Sequence, residues 1–109
     1  MPGQVHDSTI SSILSHLSAN LGSIAVASGA QPAVGAASLI GEMARKDAAA
    51  VVTATTLTKT TVFSETEGNG AIRSIGLLGA AGLVSSDAII NKTASQSLTV
   101  AVTIEVQRT

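Results

Sequence analysis

Ile10, Ile13, Leu14, Leu17 and Leu21 recur at helical spacing near the amino end, so the pattern predicts an amphipathic helix over residues 8–20. Asp7, Ser8 or Thr9 is available as its amino-terminal cap, and Asn20 and Gly22 act as stop signals. The opposite face carries Ser11, Ser12, Ser15 and Ser18, an uncharged surface for water or a neighbour. From Ser23 to Ser28 small or polar residues alternate with apolar ones, predicting a short strand that ends where Gly29 and Pro32 punctuate the chain. Residues 33–50 are Ala-rich with Leu39, Ile40 and Met43, and are read as a loop with one helical turn. Between Val51 and Ser64 the density of Val and Thr favours extended structure, as one long strand or a pair. Glu67-Gly68-Asn69-Gly70 has residues that tolerate positive φ and reads as a tight hairpin turn, with Ala71–Leu78 as the returning strand. Gly79–Ser86 is expected as a connection, and Asp87–Ile90 as a short strand.

The clearest period comes last. Leu98, Val100, Val102, Ile104 and Val106 point one way, while Thr99, Ala101, Thr103, Glu105 and Gln107 point the other. The whole pattern predicts one domain over residues 1–109, mainly β (α+β): an antiparallel β-sandwich or single curved sheet with one amino-terminal amphipathic helix. The expected core is Ile13, Leu14, Leu17, Ile24, Val26, Phe63, Ile72, Ile75, Leu77, Leu98, Val100, Val102 and Ile104.

Composition sharpens this picture. With one Phe and no Tyr or Trp, the core is built from Ile, Leu and Val, which bury less per residue than aromatic side chains do. A homo-oligomer is expected to make up the difference. Only 12% of residues are charged, against about a quarter in ordinary soluble domains. The surface is left to Ser, Thr, Gly and Ala, as suits a protein covered by neighbours. Net charge is −1 with Lys and Arg scattered, so there is no basic stripe for phosphates, and no aromatic platform for stacked bases; no nucleic-acid partner is expected. The longest apolar-and-Gly run, Ile75–Val84, is ten residues, about half of a membrane-spanning helix, so no membrane partner is expected. The first residues, Met1 to Asp7, lack the positive region and apolar core of a secretory signal, and no export by that route is expected.

Candidate chemistry is thin. His6 and His16 are the only imidazoles, and they are not spaced as an i, i+4 metal pair. His16 is read instead as complementing the dipole at the helix end. Glu65, Glu67 and Asn69 loosely resemble an oxygen-rich calcium loop, but with too few ligands, so a solvated turn is the preferred reading. Gly76, Gly79 and Gly82 do not make a dinucleotide fingerprint and are read as sites of close backbone packing. Asn91-Lys92-Thr93 matches a glycosylation acceptor without a secretory route to give it meaning. No nucleophile elbow, metal set or acid–base pair emerges. No catalytic, cofactor-binding or metal residues are assigned, no cofactor is expected, and the chain is read as not an enzyme.

In order along the chain, several motifs resemble a small-domain family common in tailed bacteriophages, found alone or within tail, fibre and other virion structural proteins. Ile24-Ala25-Val26-Ala27-Ser28-Gly29 is similar to that family's I-A-V-G-x-G strand and turn, and Leu39, Glu42 and Arg45 to its Leu-x-x-Glu-x-x-Arg segment. Phe63, Glu67, Gly70, Ile72, Ile75, Gly76 and Leu77 match its F-x-x-x-E-x-x-G-x-I-x-E-x-G-L stretch, with Ser74 where an acidic residue is usual. That departure weakens any role for a carboxylate there. Lys92-Thr93 and then Leu98-Thr99-Val100…Ile104 resemble its closing K-T and L-T-V-x-x-x-I. The resemblance spans nearly the whole chain. It implies a virion structural protein, located in the virion after assembly in the host cytoplasm. A domain standing alone favours a capsid decoration or cement protein whose partner is the major capsid protein; a tail, baseplate or fibre subunit is the alternative.

Overall fold

The computed structural model describes residues 6–53 and 55–106. It is a mainly β protein in which two antiparallel sheets pack together beside one amino-terminal helix, as the alternation predicts. The helix, α1, is Asp7–Asn20. Strands β1 (Ser23–Ala27), β2 (Glu42–Asp47), β5 (Gly70–Gly79) and β6 (Gly82–Lys92) form a four-stranded sheet in the order β2-β1-β5-β6. Strands β3 (Ala49–Thr53), β4 (Thr56–Phe63) and β7 (Leu98–Glu105) form a three-stranded sheet in the order β3-β4-β7. Gln107, expected on the outward face of the last strand, lies outside the described residues.

The helical stripe is narrower than its five apolar positions imply. Ile10, Leu14 and Leu21 are buried and Leu17 is half-buried, but Ile13 is 43% exposed. At about 100° per residue Ile13 stands to one side of the arc the other four share, so the core expectation fails there. Ile10 and Leu14 pack on Leu57 of β4, with Ile104 of β7 and Val106 beside them. The helix also starts one residue early: the His6 carbonyl accepts the N–H groups of Thr9 and Ile10 at 3.0 and 3.1 Å. His6 occupies the cap position without a side-chain bond, so Ser8 and Thr9 fall inside the first turn.

Three readings of the middle of the chain are corrected. Residues 33–50 hold no helix: a loop with one hydrogen-bonded turn, Ala36 N–H to the Ala33 carbonyl at 3.0 Å, leads into β2 and the start of β3, and pairing with β1 overrides the helical preference of Glu42, Met43, Ala44, Arg45 and Lys46. One residue, Ala48, then separates β2 from β3, which forms a hairpin with β4. The turn at 67–70 has positive φ at Gly68 and Gly70, at 65° and 127°, but it is no hairpin. It carries the chain from one sheet to the other, because β4 pairs with β3 and β7 while β5 pairs with β1 and β6. Finally, the expected connection at 79–86 shrinks to Ala80-Ala81 between paired Gly79 and Gly82, and β6 absorbs the rest. Gly82 at φ +125° turns the chain with open space around it, so close packing is not its role.

Between the sheets, Ile24, Val26, Ile72, Leu77, Phe63 and Val100 form one buried cluster with Leu21. Ile75, Leu98, Val102 and Ile104, expected in the core, are partly buried at its margin. A second cluster lies on the outer face of the four-stranded sheet. There the segment 28–41 folds back, and Leu39 is buried against Ala25, Ala27 and Leu78, with Leu83 beside them. Gly76 makes the seat: a Cβ on it would stand 2.9 Å from Leu83 Cδ1 and 3.1 Å from Leu39 Cδ2. Gly79 is closed in more severely, since a Cβ would meet the Asn20 carbonyl oxygen at 2.3 Å. Close packing thus accounts for Gly76 and Gly79.

Candidate functional site

The turn between β4 and β5 is the place where acidic and amide oxygens gather, and its ligands are already taken. Glu67 Oε1 accepts the Ser64 backbone N–H at 2.8 Å and the Lys46 ammonium at 2.9 Å. These two contacts, the backbone one first, lower the Glu67 carboxyl from its ordinary 4.5 to about 2. Asn69 Oδ1 accepts Lys92 Nζ at 2.7 Å, and Asn69 Nδ2 donates to the Glu65 carbonyl at 2.9 Å. Two of the oxygens that could face a calcium ion instead face ammonium groups. Among the described residues no cluster of three or more His, Cys, Asp or Glu could hold a metal ion. His16 is exposed and lies before the last turn of the helix, which carries no basic residue, so it does not fill the role at the helix end; its Nδ1 stands 3.4 Å from Asn20 Nδ2.

The cation at the helix end is one that sequence reading missed. Lys59, in the inward row Leu57, Lys59, Thr61 and Phe63 of β4, is 4% exposed and donates to the Ser18 carbonyl at 2.7 Å. A positive group there meets both an unpaired carbonyl and the negative end of the helix dipole. Lys92 is equally buried and donates to the Ser64 carbonyl at 2.7 Å, while Lys46 donates to the Val62 carbonyl at 2.9 Å. All three lysines of the chain therefore tie down main-chain carbonyls. The only signal for this in the sequence is Lys59 falling in phase with Leu57 and Phe63.

With the lysines engaged, the outer face of the three-stranded sheet is left nearly without charge. Register places Thr53, Thr56 and Glu105 in one row, Val51, Thr58 and Thr103 in the next, then Ala49, Thr60 and Ala101, then Val62 and Thr99. Thr58 and Thr103 share a hydrogen bond between hydroxyls at 3.2 Å, and Thr53 and Thr56 another. Val51 and Val62 are 62% and 47% exposed within this face. Beside it, where β6 and β7 form facing edges of the two sheets, a groove of about 300 Å³ is lined by Ile75, Val84, Ser85, Ser86 and Val100–Thr103. Sheet face and groove thus present hydroxyls and small apolar side chains.

Several of the residues that carry the phage resemblance are buried and others lie at the surface. Phe63, Ile72 and Leu77 are fully buried, Gly76 seats Leu39, and Glu42 pairs with Arg45 at 2.7 Å. Ser74, where the pattern has an acid, is fully buried and donates to the Gly29 carbonyl at 2.8 Å, a bond that an ionised carboxylate cannot donate. The chain matches no protein-family model, no curated protein and no solved structure. No helix among the described residues is long and apolar enough to cross a membrane.

Proposed function

We propose that this protein is a non-enzymatic structural subunit of a tailed-bacteriophage particle, acting as a capsid decoration protein that holds neighbouring shell subunits together. The observation that carries the reading is the outer face of the three-stranded sheet, where Thr, Val and Ala are presented with Glu105 as the lone charge among the described residues. The order of motifs along the chain supports the virion setting. The mechanism is additive: small side chains let backbones approach, hydroxyls bond across the contact, and repetition over a symmetric lattice multiplies weak contacts into avidity. The major capsid protein is the partner, and no substrate is turned over.

Quantifying the protein against the major shell protein in purified particles tests this. Copies comparable to the shell protein support decoration. A copy number near that of one tail ring replaces the head assignment with a tail, baseplate or fibre subunit, and absence from particles overturns both.

A further inference from the structure

Four strands border the two sheets, and three of them carry devices that discourage a further strand. β2 presents Glu42, Arg45, Lys46 and Asp47, and its pairing with β1 is broken by a bulge between Val26 and Ala27. β6 carries Asp87, and its ladder with β5 is irregular between Ile72 and Ser74. β7 ends in Glu105 and shares its free side with β6 across the groove. β3 has none of these. Its five residues, Ala49–Thr53, are uncharged, lack Pro and Gly, keep an unbroken register with β4 and are all exposed. Only one residue, Ala48, separates this bare strand from charged β2, so the guard stops where the chain changes sheets.

We propose that β3 pairs antiparallel with β3 of a second copy of this chain, joining two three-stranded sheets into one across a two-fold axis at Val51. An antiparallel strand centred on Val51 is self-complementary: Val51 faces its own copy, Ala50 faces Val52, and Ala49 faces Thr53. A strand without charge meets itself without like-charge repulsion, and a Val–Val cross-strand pair is a favourable one. On the helix side of the sheet, Val52 is 42% exposed and Ile13 of α1, the helix that packs over β3 and β4, is 43% exposed. Apolar surface beyond the strand itself is thus available to the joined form. The pairing rests on the reading of the protein as an assembly subunit. It is measured without particles, so a monomer in solution overturns the pairing alone, and absence from particles overturns the virion role alone.

Sedimentation velocity on the full chain, with V51K, V51E and an equimolar mixture of the two, tests the pairing. Wild type is expected to sediment at twice the 10.8 kDa chain mass. Each variant alone places like charges opposite each other at the axis and is expected to weaken association by about tenfold or more, and the mixture to restore it. Val51 is exposed, so unchanged melting of the variants as monomers separates lost pairing from lost folding. A monomeric wild type, or a dimer indifferent to both charges, overturns the pairing, as does failure of the mixture to recover.

Discussion

On the outer face of the four-stranded sheet, Leu39 fills the space over Gly76, Ala25 and Ala27, and Ser74 is sealed beneath Gly29. On the outer face of the three-stranded sheet, Thr103 is exposed and Thr58 and Thr60 are half-buried, and no buried cluster among the described residues lies over them. The strands differ accordingly. β1 is buried at four consecutive positions and β5 at three, whereas β4 alternates buried with open positions almost throughout. A strand covered on both faces loses its period of two, and its small residues mark where a covering segment sits. Among the described residues, the long loop 28–41 covers the outer face of the four-stranded sheet and not that of the three-stranded sheet. That asymmetry is what an assembly reading needs.

Both sheets depend on the layer they share, and Phe63→Ala is the change expected to break the comparison outright. Phe63 is fully buried, and its loss costs about 3–5 kcal/mol, a large part of a total of about 5–15. Urea denaturation should show a cooperative transition moved far to the left, or no folded baseline. A midpoint close to wild type would mean that the two sheets do not rely on a common core.

Leu39→Ala sharpens the contrast between the outer faces. It removes the side chain that roofs the four-stranded sheet and is expected to cost about 2–5 kcal/mol. Thr60→Ala, at the corresponding level of the other sheet, is expected to stay within about 0.5 kcal/mol. Equal midpoints for the two variants in urea would erase the distinction between a face covered by the chain and one left open.

Lys59→Met tests a smaller element, the cation under the helix end. Met keeps much of the buried stem but cannot donate to the Ser18 carbonyl, so a loss of about 1–3 kcal/mol is expected. Thermal melting at neutral pH measures it, and stability equal to wild type would show that the carbonyl has no need of the ammonium.

These contrasts also explain what the sequence made legible. α1 and β7 each turn one face to the core, so periods of 3.6 and of two show plainly in residues 8–20 and 98–106. β2 and β6 border their sheet, and their Ala and Ser residues carry no strand signal until β1 and β5 are in place beside them. The helix-forming residues at 42–47 and the small residues at 82–86 therefore read as loop in the sequence alone. The glycines at 68 and 70 announced a turn correctly, but a turn within a sheet and a turn between sheets need the same φ. Pairing decides between them, and pairing is not local. The inward lysines were hidden for a similar reason: the carbonyls they serve belong to segments far away in sequence, 41 residues in the case of Lys59 and Ser18.

The turn from β4 to β5, where the sheets exchange the chain, supplies the mildest test. Glu67 there accepts the Ser64 N–H and the Lys46 ammonium, which hold its carboxyl at about 2 rather than the usual 4.5. Because the folded value is the lower one, the contribution to stability is fully present above about pH 4.5 and disappears as pH falls towards 2. In Glu67→Gln the acceptor for Ser64 remains but the titration is gone. Wild type should therefore melt above the variant at neutral pH, with the gap closing between pH 4.5 and 2. Lys46→Met removes the second cause and leaves the first, the backbone N–H, so its acid transition should begin at a higher pH than wild type and remain below that of an unbonded glutamate. Parallel melting curves for wild type and Glu67→Gln down to pH 2 would show that neither contact distinguishes the folded chain from the unfolded one.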